Sequence, residues 1–241
     1  MQKLFHLIGN YEDKILENFS GIINWKNLLS KSDDFQNNKP FKFGFMENIF
    51  DTNFYNKLYE SYPNLDSFED GSDWSKSQLH RRWGETAPRQ VVDSGKDVNL
   101  NEEWNKLKRY AESDEFIENF RTFSGTRVNK LQQFHFISYR QGGFQLPHIH
   151  NVGPNTLVMM FYFSKGWKQG QSGGTYMASE VDESKIIFEP YNLDNSLALF
   201  QDGPKAAHGT RVISENVERR ALQITLEEWT PENGWSGGHY N

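Results

Sequence analysis

The second half of this chain is its most constraining feature. Six short runs, "KLQQFHFISY", "NTLVMMFYFS", "GGTYMA", "SKIIFEP", "NSLALFQ" and "ERRALQITLEEW", follow one another from Lys130 onward with no helical repeat between them. They are rich in aromatic and β-branched residues and punctuated by Gly, Pro, Asn and Asp. Segments of strand length at this spacing predict a sandwich, barrel or jelly roll.

The first half reads differently. "DTNFYNKLYESYP" (51–63) sets Phe54, Leu58 and Tyr62 at helical spacing, with Asp51 or Thr52 as cap and Pro63 as stop. "FQNNKPFKFGFMENIF" before it reads as an opening strand, and 71–90 as a polar loop carrying Trp74, Arg81, Arg82, Trp83 and Arg89. "NEEWNKLKRYAES" and "DEFIENFRTFSG" read as helical and end at Gly125, a residue suited to a left-handed cap. The expectation is a mainly β fold with α, a jelly roll with N-terminal helices packed on it. It forms a single unit over 1–241: helical, loop-rich support (1–127), jelly-roll core (128–230) and a tail (231–241).

Composition narrows the function classes. A chain of 241 residues can bury a sizeable core. Its formal charge of −6 disfavours nucleic acid as a partner. No apolar run is long enough to span a bilayer, and the opening residues lack a secretory pattern. The absence of cysteine removes disulfides and thiolate ligands and suits a reducing cytoplasm. Oligomeric state is left open.

Of the seven histidines, two stand in "QLPHIHNVGP" (145–154). In an extended segment His148 and His150 project to the same side. His208 follows the run "SLALFQ", and in a jelly roll strands far apart in sequence can meet, so the three imidazoles can converge on Fe(II), Zn(II), Cu(II) or Ni(II). The alternative is a surface or otherwise satisfied histidine pair. Tyr139 precedes the pair and Arg219 opens the last run. With a metal they would suit an anionic chelating ligand, the guanidinium forking onto a carboxylate.

Taken in order, "SYRQGGFQLPHIHN", "FYFSKGW", "SGGTYM", "FEPYNLDNSLALFQDGPKAAHGT" and "ERRALQI" resemble the Fe(II)- and 2-oxoglutarate-dependent oxygenases, in particular the prolyl-4-hydroxylase-like branch. "KPFKFGFMENIFDTNFYNKLYESYPNL" looks like the strand and helix that open such proteins. The resemblance implies a double-stranded β-helix, with His148 and His208 as metal ligands. It implies Arg219 as the partner of the 2-oxoglutarate 5-carboxylate, with Arg220 competing for that role, and Tyr139 lining the same pocket. Fe(II), 2-oxoglutarate and O2 are the implied cofactor and cosubstrates, and the implied activity is hydroxylation of an unactivated C–H bond in a small molecule or peptidyl residue.

The chain departs from the family where Asp is usual, for it has His150. Three outcomes follow: His150 ligates and completes a three-histidine site, it swings away and leaves a position open, or oxygenase chemistry is lost. Asp202 could supply a carboxylate, although nothing in its position demands it. A cupin-type dioxygenase or isomerase is the alternative, since Gly142, His148 and His150 satisfy G-x5-H-x-H. The Glu that should follow is missing, the second cupin motif is out of register, and Arg219 has no cupin counterpart. A non-catalytic binding module on the same barrel is the third reading. Arg81 or Arg82 is the candidate for meeting an acidic substrate.

Overall fold

The computed structural model describes residues 17–83 and 95–237. Arg89 in the loop and His239, read as a surface residue, lie outside the described residues. The helices are α1 (Trp25–Leu29), α2 (Ser32–Asn37), α3 (Thr52–Glu60), α4 (Glu102–Ala111) and α5 (Asp114–Ser124). Strands β1 (Phe43–Glu47), β2 (Glu69–Asp70), β3 (Lys76–Ser77) and β4 (Leu79–Arg82) precede the core. The core strands are β5 (Lys130–Tyr139), β6 (Phe144–His148), β7 (Thr156–Phe163), β8 (Tyr176–Ala178), β9 (Ile186–Phe188), β10 (Asp194–Gln201), β11 (Ala207–Thr210) and β12 (Arg219–Glu227). A small hairpin, β13 (Trp229–Thr230) and β14 (Gly234–Trp235), follows.

The larger sheet has the order β1-β10-β7-β12-β5-β4-β2 and the smaller β3-β6-β11-β8-β9, with antiparallel pairing throughout. The chain alternates between the sheets from β5 to β8 and again from β9 to β12. That path is the jelly roll the strand spacing predicts.

Each long helix starts on a side-chain cap. Asp51 Oδ1 accepts from the N–H of Asn53 at 2.9 Å and of Phe54 at 3.2 Å. Asn101 Oδ1 accepts from Trp104 N at 3.0 Å, and Ser113 Oγ from Phe116 N at 3.3 Å. Gly125 ends α5 at φ 63°, as the left-handed cap requires. The helices cover the outer face of the larger sheet, where Trp104 meets Phe136 edge-on at 4.9 Å and Phe163 at 5.2 Å. β7 is buried at every position, since both of its faces are covered. Leu157, Met159, Phe161 and Phe163 join the helix-side core, whereas Met160 and Tyr162 join the interior cluster.

One stretch folds differently from its reading. Within the segment expected to be a polar loop, β3 pairs with β6 and β4 pairs with β5. The reason is the edge of β5: without β4 a ten-residue strand would leave its backbone groups unpaired on that side. Alternation then sends Arg81 toward the helices, where it is buried against Asp97 at 2.8 Å, while Arg82 faces the barrel interior. No helix among the described residues is long and apolar enough to cross a membrane.

Candidate active site

His148 ends β6, and its cross-strand partner is His208 on β11. His150 lies two residues beyond, on the same side, as extended backbone dictates. Ring centroids are 4.3 Å apart for His148–His208, 4.9 Å for His148–His150 and 5.1 Å for His150–His208. One nitrogen of each ring lies within 4.8 Å of the other two. The strands approach closely here because Gly209 follows His208: a Cβ there would sit 2.4 Å from the Tyr176 hydroxyl and 2.7 Å from the Gln145 carbonyl oxygen.

Each imidazole is oriented through Nδ1. That atom lies 3.0 Å from the Leu146 carbonyl oxygen in His148, 2.7 Å from that of Ala206 in His208 and 2.6 Å from Asp202 Oδ2 in His150. All three partners accept, so Nδ1 carries the proton and Nε2 keeps its lone pair. This is the arrangement by which outer groups aim histidines at a metal. Three imidazoles so oriented suit Fe, Zn, Cu or Ni, so the residues present fit a bound transition metal. Burial, and secondarily the neighbouring His148, drives the His208 pKa down to about 3. Burial also lowers His148. For His150 burial acts downward, but the hydrogen bond and charge of Asp202 outweigh it and raise the pKa.

Asp202 thus has a definite place that spacing did not reveal. It is 5% exposed, and its second oxygen accepts from the Gly203 N–H at 2.8 Å. Its carboxylate holds His150 from behind, at Nδ1.

Arg219 is fully buried, and across the ladder it faces Tyr139. Its guanidinium carbon lies 4.8 Å from the Tyr139 ring centre and 4.9 Å from that of Tyr162. It donates to the Gly173 carbonyl oxygen at 2.9 Å, to that of Ile137 at 3.3 Å and to Thr175 Oγ1 at 3.0 Å. Of the five N–H groups a guanidinium carries, two make no hydrogen bond among the described residues. Arg220 points the other way, toward Tyr59 and Tyr62, and pairs with Glu218 at 2.6 Å.

A cavity of about 420 Å³ connects these parts. Its wall includes the three histidines, Tyr139, Gln145 and Thr175, while Arg219 sits immediately behind Tyr139 and Thr175. The Tyr139 hydroxyl donates to Gln78 at 2.8 Å and approaches Gln145 at 3.3 Å, and the Gln145 amide nitrogen is 3.4 Å from His148 Nε2. Tyr162 accepts from the Thr175 N–H at 2.9 Å. Arg82 lines the cavity, whereas Arg81 does not reach it. Gln78, Gln145, Tyr162 and Thr175 were not singled out in the sequence. Thr175 was the most accessible of them, as the hydroxyl following the "GG" of "SGGTYM".

The sequence matches no protein-family model and no curated protein. Solved structures do align. A prolyl-4-hydroxylase of Pseudomonas putida superposes with TM-score 0.59 at 14% identity, over 83% of this chain and 97% of that one. A prolyl hydroxylase of Trichoplax adhaerens, solved with a hypoxia-inducible-factor peptide, gives 0.59 at 14% identity, over 84% and 88%. An oxidoreductase of the 2OG-Fe(II) oxygenase family from Burkholderia pseudomallei gives 0.57 at 11%, over 89% and 94%. This chain has the double-stranded β-helix fold of the prolyl-4-hydroxylases and 2OG-Fe(II) oxygenases, with three clustered histidines in an HxH…H arrangement.

Proposed function

We propose that this protein is a non-haem Fe(II)- and 2-oxoglutarate-dependent dioxygenase that hydroxylates an unactivated C–H bond of a small molecule or peptidyl residue. The observation that carries the reading is the pairing of two features on one cavity. Three imidazoles have Nε2 free at one place, and a buried guanidinium with two unengaged N–H groups stands behind the opposite wall.

Bound Fe(II) with 2-oxoglutarate supplies the means by which O2 oxidises a C–H bond. The chain's own residues do the rest. His148, His150 and His208 hold the metal, aimed by Leu146, Ala206 and Asp202. Asp202 balances one positive charge without occupying a coordination position. Arg219 takes the distal carboxylate of the cosubstrate through its remaining N–H groups, with the Tyr139 hydroxyl turning from Gln78 to donate to the same carboxylate. Such bidentate, charge-assisted contacts are what distinguish Arg from Lys at this position. Gln145 leaves His148 Nε2 when a metal claims that lone pair. Phe200, whose ring lies 4.4 Å from that of His208, together with Val158 and Met160 keeps water from the reacting side of the cavity. The absence of cysteine supports a reducing, cytoplasmic setting.

The test is anaerobic titration of the Fe(II)-loaded protein with 2-oxoglutarate. A visible charge-transfer band and succinate release on admitting O2 are expected. A colourless titration with no succinate would overturn the reading in favour of a cupin-like or non-catalytic barrel.

A further inference from the structure

The interior face of the larger sheet changes character away from the histidines. Gln223 and His135 are cross-strand partners, as are Thr225 and Gln133 in the next pair. Arg82 faces His135 from the other side, and Thr156 stands on the neighbouring strand β7. All six side chains line the cavity. Polar side chains on three adjacent strands, β4, β5 and β12, are unusual for a face turned into a barrel, where apolar side chains are the norm. On β7 the partners of Gln223 and Thr225 are Met160 and Val158, and Thr156 lies one further pair along, opposite Glu227.

The hydrogen bonds within the ladder leave a defined pattern open. Gln223 Nε2 donates to Gln133 Oε1 at 2.9 Å and to Thr225 Oγ1 at 3.2 Å. The Gln133 amide nitrogen and the Gln223 carbonyl oxygen make no hydrogen bond among the described residues, which leaves an NH2 group and a carbonyl oxygen open. Thr156 is 1% exposed, and its hydroxyl has no partner among the described residues. A buried hydroxyl without a partner is unfavourable and calls for a ligand or water to satisfy it. Glu69 and Asp70 line the same cavity as Lys76 and Arg82, two carboxylates against two cations.

We infer that this polar end of the cavity binds a neutral, polyhydroxylated small molecule of the sugar or cyclitol kind, held so that its carbon skeleton faces the three histidines. The assignment names the substrate class for the function proposed above and rests on it. Hydroxyl groups match the ladder because each both donates and accepts, as the Gln133–Gln223–Thr156 set requires. A carboxylated ligand would find no excess of cations, since Glu69 and Asp70 offset Lys76 and Arg82 in the lining, and an acylated proline or other apolar residue would leave the amides and the Thr156 hydroxyl unsatisfied.

The experiment uses Zn(II)-loaded protein with 2-oxoglutarate and saturation-transfer NMR. Two panels are screened, one of neutral monosaccharides, disaccharides and inositols, the other of N-acetyl amino acids and proline dipeptides. Binding is expected in the first panel. It should weaken about fivefold or more in Thr156→Val, which keeps the side-chain shape, and in Gln223→Leu, with 2-oxoglutarate signals unchanged. Hits confined to the second panel, hits that survive both substitutions, or none from the first panel while 2-oxoglutarate binds would each overturn the assignment. Sugar or inositol binding with no 2-oxoglutarate signal would support it and sink the cosubstrate reading alone.

Discussion

Replacing Asp202 with Asn isolates the carboxylate that stands behind His150. The substitution keeps shape but exchanges one oxygen for NH2. Both oxygens are engaged, one by His150 Nδ1 at 2.6 Å and the other by the Gly203 N–H at 2.8 Å, so the amide must present a donor to one donor or the other. Facing His150, it would favour the tautomer protonated on Nε2, which cannot ligate. Facing Gly203, it leaves a neutral hydrogen bond where a charged one stood. Hydrogen bonds to charged groups contribute about 1.5–3 kcal/mol against about 0.5–1.5 for neutral ones. The difference is roughly a tenfold loss of metal affinity, and the tautomer change moves it toward the upper end of the 10–100-fold range typical of such outer partners. The assay is Co(II) competition against a chromophoric chelator for wild type, Asp202→Asn, His150→Ala and the double variant, with thermal melts to verify folding. Because Asp202 acts through His150, its substitution should cost little more once His150 is gone. Unchanged affinity in Asp202→Asn, or fully additive losses in the double variant, would refute the reasoning.

Arg219→Lys keeps the charge and loses the fork, so 2-oxoglutarate affinity should fall about tenfold or more at unchanged Co(II) affinity, read by titration of the metal-loaded protein. Metal affinity should weaken as pH falls through the raised pKa of His150, above its ordinary value of about 6.5, with a slope of one proton. The lowered His148 and His208 stay neutral there and add their protons only at lower pH, so a three-proton slope near neutrality would contradict the geometry. Arg81→Ala removes one partner of a buried ion pair and should destabilise the fold by about 3–5 kcal/mol in urea melts. Arg82→Ala, at the cavity wall, should change stability by no more than about 1 kcal/mol.

The strands from Lys130 onward were legible because their hydrophobic and turn residues obey local rules, and "KLQQFHFISY" matches the bounds of β5 residue for residue. "KSQLHRR" was not, because β3 and β4 are recruited by the open edges of β6 and β5 rather than by any alternation of their own. The histidine cluster was readable from the HxH spacing together with the order of the later motifs. The function of Asp202 was not: an acceptor supplied across 52 residues of sequence has no periodic signature. Glutamines 133 and 223 are the polar members of strand alternation, which locally means solvent. Only closure of the barrel turns that face inward.

The seam on which the histidines meet is short. β6 and β11 share only two register pairs, His148 with His208 and Gln145 with Thr210, and an irregularity separates them. β6 is flanked on its other edge by a two-residue strand. So brief a ladder opens readily on its own, and an ion gripping a ring from each side acts as a rivet through the joint between early and late portions of the barrel. Occupancy of the centre is therefore written into the backbone, and amide exchange at Gln145 and Thr210 should slow with each increment of metal, giving a gauge of loading that needs neither substrate nor turnover.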